Sequence, residues 1–222
     1  MSDREEPQEP MDRRTLMARG AALAALFSAS PLFAPAAHAQ LAALPYRDQR
    51  VVREAAQYLQ NLKLAKGRFV QTNSRGASSS GQIYLSRPGR ARFEYAAPAQ
   101  MLVVADGRNV SIYDRRLKTF DRYPLGATPL GIFLSRRIQL EGDVRVTGLT
   151  RTDGGFSIGL ADPQGNADGQ LVLEFADAPL ALTGWTVIDG QGLKTHVKLQ
   201  GLTPVTHLDP ALFVLSDPSK AG

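Results

Sequence analysis

Cysteine is absent from this chain of 222 residues, and histidine occurs only three times, at positions 38, 196 and 207. Without cysteine the chain has neither a disulfide framework nor a thiolate that could bind a metal or attack a substrate. The histidines show no ligand spacing such as His-x-x-x-His, so the sequence predicts no metal site. Acidic residues are spread through turns, where aspartate is expected for its local backbone bonding. We therefore predict that the protein is not an enzyme and takes no cofactor. The one catalytic arrangement that the sequence does not test is a pair of carboxylates brought together by the fold from distant positions.

A strong charge of one sign is also lacking. The net charge is +5, from 26 basic and 21 acidic residues, and the basic residues are scattered along the chain. No RNP or zinc-finger pattern is present, so nucleic-acid binding is not expected. The modest positive charge suits attraction to anionic membrane surfaces or acidic partners, and it suits plain solubility equally well. The length and the hydrophobic content of 43% are typical of one domain with its own core.

The N-terminal 39 residues have the organisation of a signal peptide. A polar segment is followed by Arg13-Arg14, an apolar run rich in alanine, and the sequence Ala37-His38-Ala39. This order of regions predicts cleavage after Ala39. The arginine pair indicates the twin-arginine type, with a general secretory signal as the alternative. Residues 1–39 are thus predicted to be removed, and residues 40–222 to form a single exported domain that is not itself a lipoprotein.

The segment from Tyr46 to Leu62 has the periodicity of an amphipathic helix. Its apolar residues share one face at helical spacing: Val51, Ala55, Tyr58, Leu59 and Leu62. Pro45 suits the start of such a helix, and Asn61 and Lys63 mark its end. We predict a helix that plugs one end of a β-barrel, as a fixed part of the core or as a movable plug.

Strand patterns dominate the remaining chain. Between Gly81 and Tyr113, alternating apolar residues and the turns Arg87-Pro88-Gly89 and Asp106-Gly107 predict a four-stranded antiparallel meander. Ahead of it, a first strand opens at Lys66. Turn residues separate the later strand patterns, which fall at residues 144–149, 155–160, 170–175, 181–188 and 193–199. One continuous antiparallel sheet is the simplest arrangement of these strands.

Three shorter segments complete the prediction. Ser74 to Ser80 has the composition of a flexible loop. Thr128 to Leu140 interrupts the strand pattern with a short helix, for which Thr128 is the expected cap and Pro129 the first residue, with Ile138 on its apolar face. A helical turn from Leu208 is predicted to precede a last strand at Phe213–Leu215.

The meander also resembles a known family. Gly-x-hydrophobic-x-hydrophobic-x-Arg-Pro is followed by Arg-Phe-x-Tyr, then Pro, an apolar strand, Asp-Gly and a Tyr-Asp pair. This pattern resembles the LolA family, the periplasmic carriers of outer-membrane lipoproteins, and a weaker resemblance extends from about Val51 to Leu215. The residues that carry it are Gly81, Arg87, Pro88, Arg92, Phe93, Tyr95, Pro98, Asp106, Gly107, Tyr113 and Asp114.

The resemblance implies a mainly β fold: a half-open, strongly twisted antiparallel β-barrel with an N-terminal helix and short lid helices. Its hydrophobic cavity would receive acyl chains, and Arg87 would act as a latch that hydrogen-bonds the lid in the closed form. The lid helix would contain Pro129, Leu130, Phe133 and Leu134. The candidate residues of the lipid-binding cavity are Phe69, Leu85, Phe93, Tyr95, Leu102, Val104, Ile112, Phe133, Leu134, Leu173, Phe175 and Trp185.

In function, the resemblance implies a periplasmic carrier, expected as a monomer, that takes acylated lipoproteins from the inner to the outer membrane. Its expected partners are an inner-membrane lipoprotein-releasing ABC transporter and an outer-membrane lipoprotein receptor, the transporter being the firmer expectation.

Two alternatives to this function remain open from the sequence. One is a carrier of another lipid, and the other is a regulatory adaptor of the same fold that senses lipid or lipoprotein. For Arg87, the alternative to a latch is an arginine exposed on the surface of a turn.

The export signal gives the first testable prediction. Protein recovered from the periplasm should begin at Gln40, as determined by N-terminal sequencing, and a start far from Gln40 would contradict the predicted site.

Replacing Arg13 and Arg14 together by lysine should block export, because the twin-arginine route requires both guanidinium groups. Normal export of this variant would assign the chain to the general secretory route.

Overall fold

The computed structural model describes residues 44–135, 144–162, 164–167 and 169–218. The predicted signal peptide and Ile138 lie outside the described residues. Helix α1 spans Tyr46–Asn61 and helix α2 spans Pro129–Leu134, with 3-10 turns at Leu125–Ala127 and Pro210–Phe213. The strands are β1 Leu64–Thr72, β2 Ser78–Ser86, β3 Arg90–Tyr95, β4 Met101–Asp106, β5 Asn109–Asp114, β6 Thr119–Pro124, β7 Arg145–Thr152, β8 Gly155–Ala161, β9 Gln170–Asp177, β10 Leu180–Ile188 and β11 Lys194–Pro204.

All eleven strands belong to one antiparallel sheet, in the order β6-β5-β4-β3-β2-β1-β11-β10-β9-β8-β7. β1 pairs with β11, and every other pairing joins strands that are neighbours in sequence. Within the described residues β6 and β7 are the two edges and do not pair with each other, so the sheet is not closed. Register shifts in β7, β10 and β11 add local bends, because a bulge increases strand twist. The predicted mainly β, half-open antiparallel fold is confirmed.

The two faces of the sheet have different coverings. We call the face that carries Phe93 and Trp185 the inner face, and both helices pack on it. Tyr58 of α1 meets the ring of Phe175 edge-on, with 6.1 Å between centroids. Phe133 of α2 stacks on Trp185 at 5.2 Å. The opposite, outer face carries the charged residues of β3 and is covered in part by the C-terminal segment, residues 205–218.

Helix α1 confirms the predicted periodicity. Its buried residues are Val51, Val52, Ala55, Ala56 and Leu59, which recur every three to four positions and face the sheet. Asp48 lies in the first turn, where a carboxylate complements the positive end of the helix dipole. The same carboxylate accepts a hydrogen bond from Arg151 of β7 at 2.9 Å. The start of the helix is therefore tied to the edge strand of the sheet.

Three local predictions were wrong. Ser78 to Ser80 belong to β2, because they pair with Val70 to Thr72 of β1, so the loop is shorter than predicted. Thr128 does not cap α2 with its side chain, since its hydroxyl donates to the carbonyl of Leu125 at 2.8 Å. The residues after Phe213 form no strand, because the C-terminal segment lies across the outer face instead of extending the sheet.

Gly81 provides a test of the sheet packing. It lies between Phe69 and Tyr95 in register, and an added Cβ would overlap the carbonyl oxygen of Glu94. We expect Gly81→Ala to lower the free energy of unfolding by about 1–3 kcal/mol, as overpacking does in a close-packed interior. The matched control is Gly148→Ala in β7, where nothing lies within 4 Å of the new Cβ and the change should stay within about 0.5 kcal/mol. Equal denaturation midpoints for the two variants would contradict this packing.

Candidate functional site

A chain of aromatic rings crosses the inner face. Tyr95 contacts Phe69 at 5.0 Å between ring centroids, and Phe69 contacts Phe93 at 5.6 Å. Phe93 then contacts Trp185 at 6.1 Å, and Trp185 stacks on Phe133 of α2. These rings reach each other because β1 and β11 pair and join the two halves of the sheet. The cluster therefore links the sheet directly to the short helix predicted as a lid.

One end of this aromatic chain is polar. The hydroxyl of Tyr95 donates a hydrogen bond to the side-chain oxygen of Gln71 at 2.8 Å. Burial raises the pKa of Tyr95 above its usual value, and the bond to Gln71 acts in the opposite direction. Gln71 is itself buried. The pair satisfies its own hydrogen-bonding groups in an otherwise hydrophobic surface.

Arg87 lies at the other end of the aromatic chain, at the β2–β3 turn, and its side chain is only 8% exposed. Nη1 donates to the carbonyl oxygen of Leu59, in the last turn of α1. Nη2 donates to the carbonyl oxygen of Ser135, which follows α2, at 3.3 Å. Carbonyl groups at helix C-termini lack intrahelical partners and carry partial negative charge. The guanidinium thus joins the C-terminal ends of both helices.

Aromatic and backbone contacts complete the surroundings of Arg87. Its guanidinium carbon lies 5.4 Å from the centroid of the Phe133 ring, a cation–π arrangement. Its backbone N–H donates to Lys63, and the next turn residue, Gly89, donates to the carbonyl of Leu134 at 2.8 Å. Within the described part of the chain, Nε has no hydrogen-bond partner. The turn therefore holds α2 through one side chain and one backbone group.

Burial of this cation has an electrostatic cost. Desolvation lowers the pKa of Arg87 to about 10. The residue remains charged at neutral pH, because it would lose its proton only in alkaline solution. Among the described residues, the ion pairs leave Arg87 without a carboxylate. Carbonyl oxygens and one ring compensate the buried charge, which makes the contact sensitive to any movement of α2.

The register places ten of the twelve predicted cavity residues on the inner face or on α2. They are Phe69, Leu85, Phe93, Tyr95, Ile112, Phe133, Leu134, Leu173, Phe175 and Trp185. Leu102 and Val104 were placed wrongly on the inner side. Leu102 pairs with Glu94 and Val104 pairs with Arg92, so both side chains share the outer face. Because both faces of β4 are covered, its residues are apolar on both sides. The sequence of β4 therefore shows no alternation from which the direction of each side chain could be predicted.

The covering of the outer face was missed by sequence reasoning. Arg92 donates to the carbonyl of Leu212 at 2.9 Å and forms an ion pair with Glu94 at 2.6 Å. The guanidinium of Arg90 lies 5.4 Å from the Phe213 ring centroid. Arg122 of β6 donates to the carbonyl of Leu215 at 3.0 Å. These contacts are between residues about a hundred positions apart, so no local pattern could predict them.

One segment of the chain has a sequence pattern that is found in hydrolases. Residues 155–159 match Gly-x-Ser-x-Gly, the pattern of hydrolase nucleophile elbows. Ser157 lies within β8, however, and not at a strand-to-helix turn. His196 contacts Glu174 at 3.0 Å, but it lies on β11, three strand spacings or about 14 Å from Ser157. Ser157 pairs in register with Glu174 of β9, but within the described residues no hydrogen bond joins the serine hydroxyl to Glu174 or to His196. The nucleophile–base contact typical of such enzymes is therefore not formed there.

The described ranges contain no cluster of three or more potential metal-ligating side chains. In the same ranges no helix has the length and apolar character needed to cross a bilayer.

Comparison with known proteins decides the family. The model of the outer membrane lipoprotein carrier protein LolA matches residues 60–216 of the chain. The chain belongs to the LolA family. An outer-membrane lipoprotein carrier protein from Methylibium petroleiphilum is 27% identical over 74% of this chain and 84% of its own length. One of the same name from Methylococcus capsulatus is 29% identical over 64% of this chain and 69% of its own length.

Among solved structures, a LolA superfamily protein from Nitrosomonas europaea is similar over 75% of this chain and 97% of its own, at 10% identity and a TM-score of 0.45. Membership of the LolA family gives a lipoprotein carrier role in its coarse outline. The LolA family is a family of carriers and not of enzymes.

The contact between Phe133 and Trp185 is open to direct measurement, because Trp185 is the only tryptophan. We expect Phe133→Ala to shift the tryptophan emission to longer wavelength and to increase quenching by acrylamide, since α2 shields the indole. The matched control is Phe156→Ala, which removes an equally buried ring that stacks on Phe175. Both variants should lose about 3–5 kcal/mol of stability, but only the first should expose Trp185. Equal quenching in the two would contradict the shielding by α2.

Proposed function

We propose that this LolA-family chain is a periplasmic carrier that binds the acyl chains of lipoproteins between the inner face of its sheet and its helices. It would ferry them from the inner to the outer membrane. The aromatic and aliphatic surface beneath α1 and α2 supports this proposal, because movement of the helices would uncover the rings of Phe175 and Trp185 that they cover. The N-terminal signal pattern and the names of the relatives support the periplasmic location.

The binding free energy limits how such a carrier works. Burial of each methylene group contributes roughly 0.8 kcal/mol, so several fully buried acyl chains would bind too tightly to be released. Closure of the lid over the empty cavity offsets part of this energy, because the open form must be populated before binding. The closed form is stabilised by stacking of Phe133 on Trp185 and by the Arg87 contacts.

Arg87 is the residue to which we assign the latch. It contacts α1 and α2 at the same time, and its planar guanidinium suits two carbonyl acceptors that lie in different directions. This bridge is the observation that carries the proposal. Breaking it frees the end of α2 while the sheet keeps its own pairing. The latch therefore acts on the balance between closed and open forms.

The proposed route requires two partners. An inner-membrane ABC transporter would load the lipoprotein, and an outer-membrane receptor would accept it. A carrier between two membranes needs its cargo affinity to be intermediate, since it must exceed that of the donor and fall below that of the acceptor. The latch provides this adjustment without any change in the acyl-binding surface.

Arg87→Leu tests the latch. Hydrogen bonds to a charged group contribute about 1.5–3 kcal/mol each, so the closed form should lose tenfold or more in population. The variant should load cargo as well as or better than the unaltered protein, and it should fail to release it. The measurement has two stages: transfer of a triacylated lipoprotein from inner-membrane vesicles to the carrier, then from the carrier to acceptor membranes.

Arg90→Leu is the matched control, because Arg90 lies three positions away and its side-chain interactions within the described residues are with Ser86 and Phe213, not with α1 or α2. It should load and release normally. A cargo without acyl chains should bind neither variant. Normal release by Arg87→Leu would leave Arg87 as a structural turn residue, and loss of its cooperative unfolding would assign it to the core instead.

A further inference from the structure

The hairpin between β5 and β6 ends in an unusual surface. Its tip, residues 115–118, has the sequence Arg-Arg-Leu-Lys, and we call it the basic tip. Leu117 is 53% exposed, which makes it one of the few large apolar side chains open to solvent in the described structure. An exposed leucine among three cations gains nothing from the fold itself. A single exposed leucine is common on protein surfaces, so the interest of Leu117 lies in the three cations that surround it.

The basic tip has a defined conformation. The carboxylate of Asp114 accepts hydrogen bonds from the backbone N–H groups of Arg116 at 2.8 Å and Leu117 at 2.9 Å. Lys118 has a positive φ of 53°, which closes the turn. The N–H of Arg115 donates to the carbonyl of Gln100, in the neighbouring turn, at 3.3 Å. Leu117 is thus presented by a held turn and not by a loose loop.

A cleft of about 590 Å³ opens beside the basic tip on the outer face. Arg115 and Arg68 line it, together with apolar groups from Met101 and Leu102. Neither guanidinium has a hydrogen bond or ion pair in the part of the chain that the structure describes. The cleft also contains Glu94, but that carboxylate is neutralised by Arg92 at 2.6 Å. Two available guanidinium groups beside apolar walls suit a phosphate that carries a hydrophobic tail.

The tip and the cleft lie at the same end of the sheet, away from the latch. Met101 pairs with Asp114 at this end, whereas Arg90 pairs with Asp106 at the end that carries the Arg87 turn. A surface that met this end would leave α2 free to open. The position therefore separates attachment of the protein from movement of its lid.

We propose that this end of the sheet docks on an anionic phospholipid surface. Leu117 enters the headgroup region, Arg116 and Lys118 attract the surface charge, and Arg115 with Arg68 binds a headgroup phosphate in the cleft. Basic residues near an anionic membrane each add to its attraction, and an adjacent apolar side chain adds the hydrophobic part. The inference does not depend on lipoprotein transport, because the cargo-free protein carries all of these residues.

Vesicle flotation with the mature, cargo-free protein tests the proposal. The protein should float with vesicles that contain phosphatidylglycerol and not with phosphatidylcholine alone, and added salt should weaken the binding. Replacing Arg115, Arg116 and Lys118 by serine should lower the affinity about 100-fold, at about fivefold for each charge. Arg68→Gln alone should lower it about fivefold. The control replaces Arg47, Arg50 and Arg53 of α1 by serine, which removes equal charge elsewhere and should leave most of the affinity.

Insertion of Leu117 has its own measurement, because the chain lacks cysteine and any introduced thiol is unique. An environment-sensitive dye on Leu117→Cys should shift to shorter wavelength when anionic vesicles are added. The same dye on Val214→Cys, a site that is 66% exposed in the C-terminal segment, should not shift. Equal shifts at both sites, equal losses in the two triple variants, or no flotation with anionic vesicles would overturn the proposal. The last result would leave an acidic protein surface as the partner of the basic tip.

Discussion

The guanidinium of Arg87 is a buried cation that the fold balances with carbonyl oxygens and an aromatic face. Backbone carbonyls at helix ends have a fixed direction, so they compensate the charge only when both helices are in place. A carboxylate partner would have followed the cation on a flexible side chain and would have tolerated movement. The absence of such a partner in the described structure makes the position of α2 depend on Arg87, and the compensation of the buried Arg87 charge depend on α2.

This mutual dependence gives the molecule two parts of unequal stability. The sheet has continuous backbone pairing over eleven strands and does not need the helices to satisfy its hydrogen bonds. Helix α2 has six residues, too few to be stable alone, and relies on Phe133, Leu134 and the Arg87 turn. Local opening of proteins is drawn from segments of low intrinsic stability. A rigid sheet with a weakly held helix is the arrangement that the proposed lid requires.

Much of this architecture could be predicted from the sequence, for identifiable reasons. The meander from Gly81 to Tyr113 was confirmed, because its alternation and its Gly-containing turns are local signals. Helix α1 was confirmed because its apolar spacing extends over four turns. The inward placement of Leu102 and Val104 was wrong because β4 is covered on both faces, so its sequence does not alternate between apolar and polar residues. The course of the C-terminal segment depends on Arg90, Arg92 and Arg122, whose partners are distant in sequence and leave no local pattern.

The pairing of β1 with β11 also has a consequence for folding. Among the described strands it is the only pairing that is not between consecutive strands, so residues distant in sequence must meet to form it. The meanders β1–β6 and β7–β11 each contain only local contacts, which form quickly, whereas closing a long loop adds an entropic barrier. The two halves would assemble first and the seam between them last. The contact between Phe93 and Trp185 spans that seam. We therefore expect the apolar surface beneath the helices to be completed only at this last step.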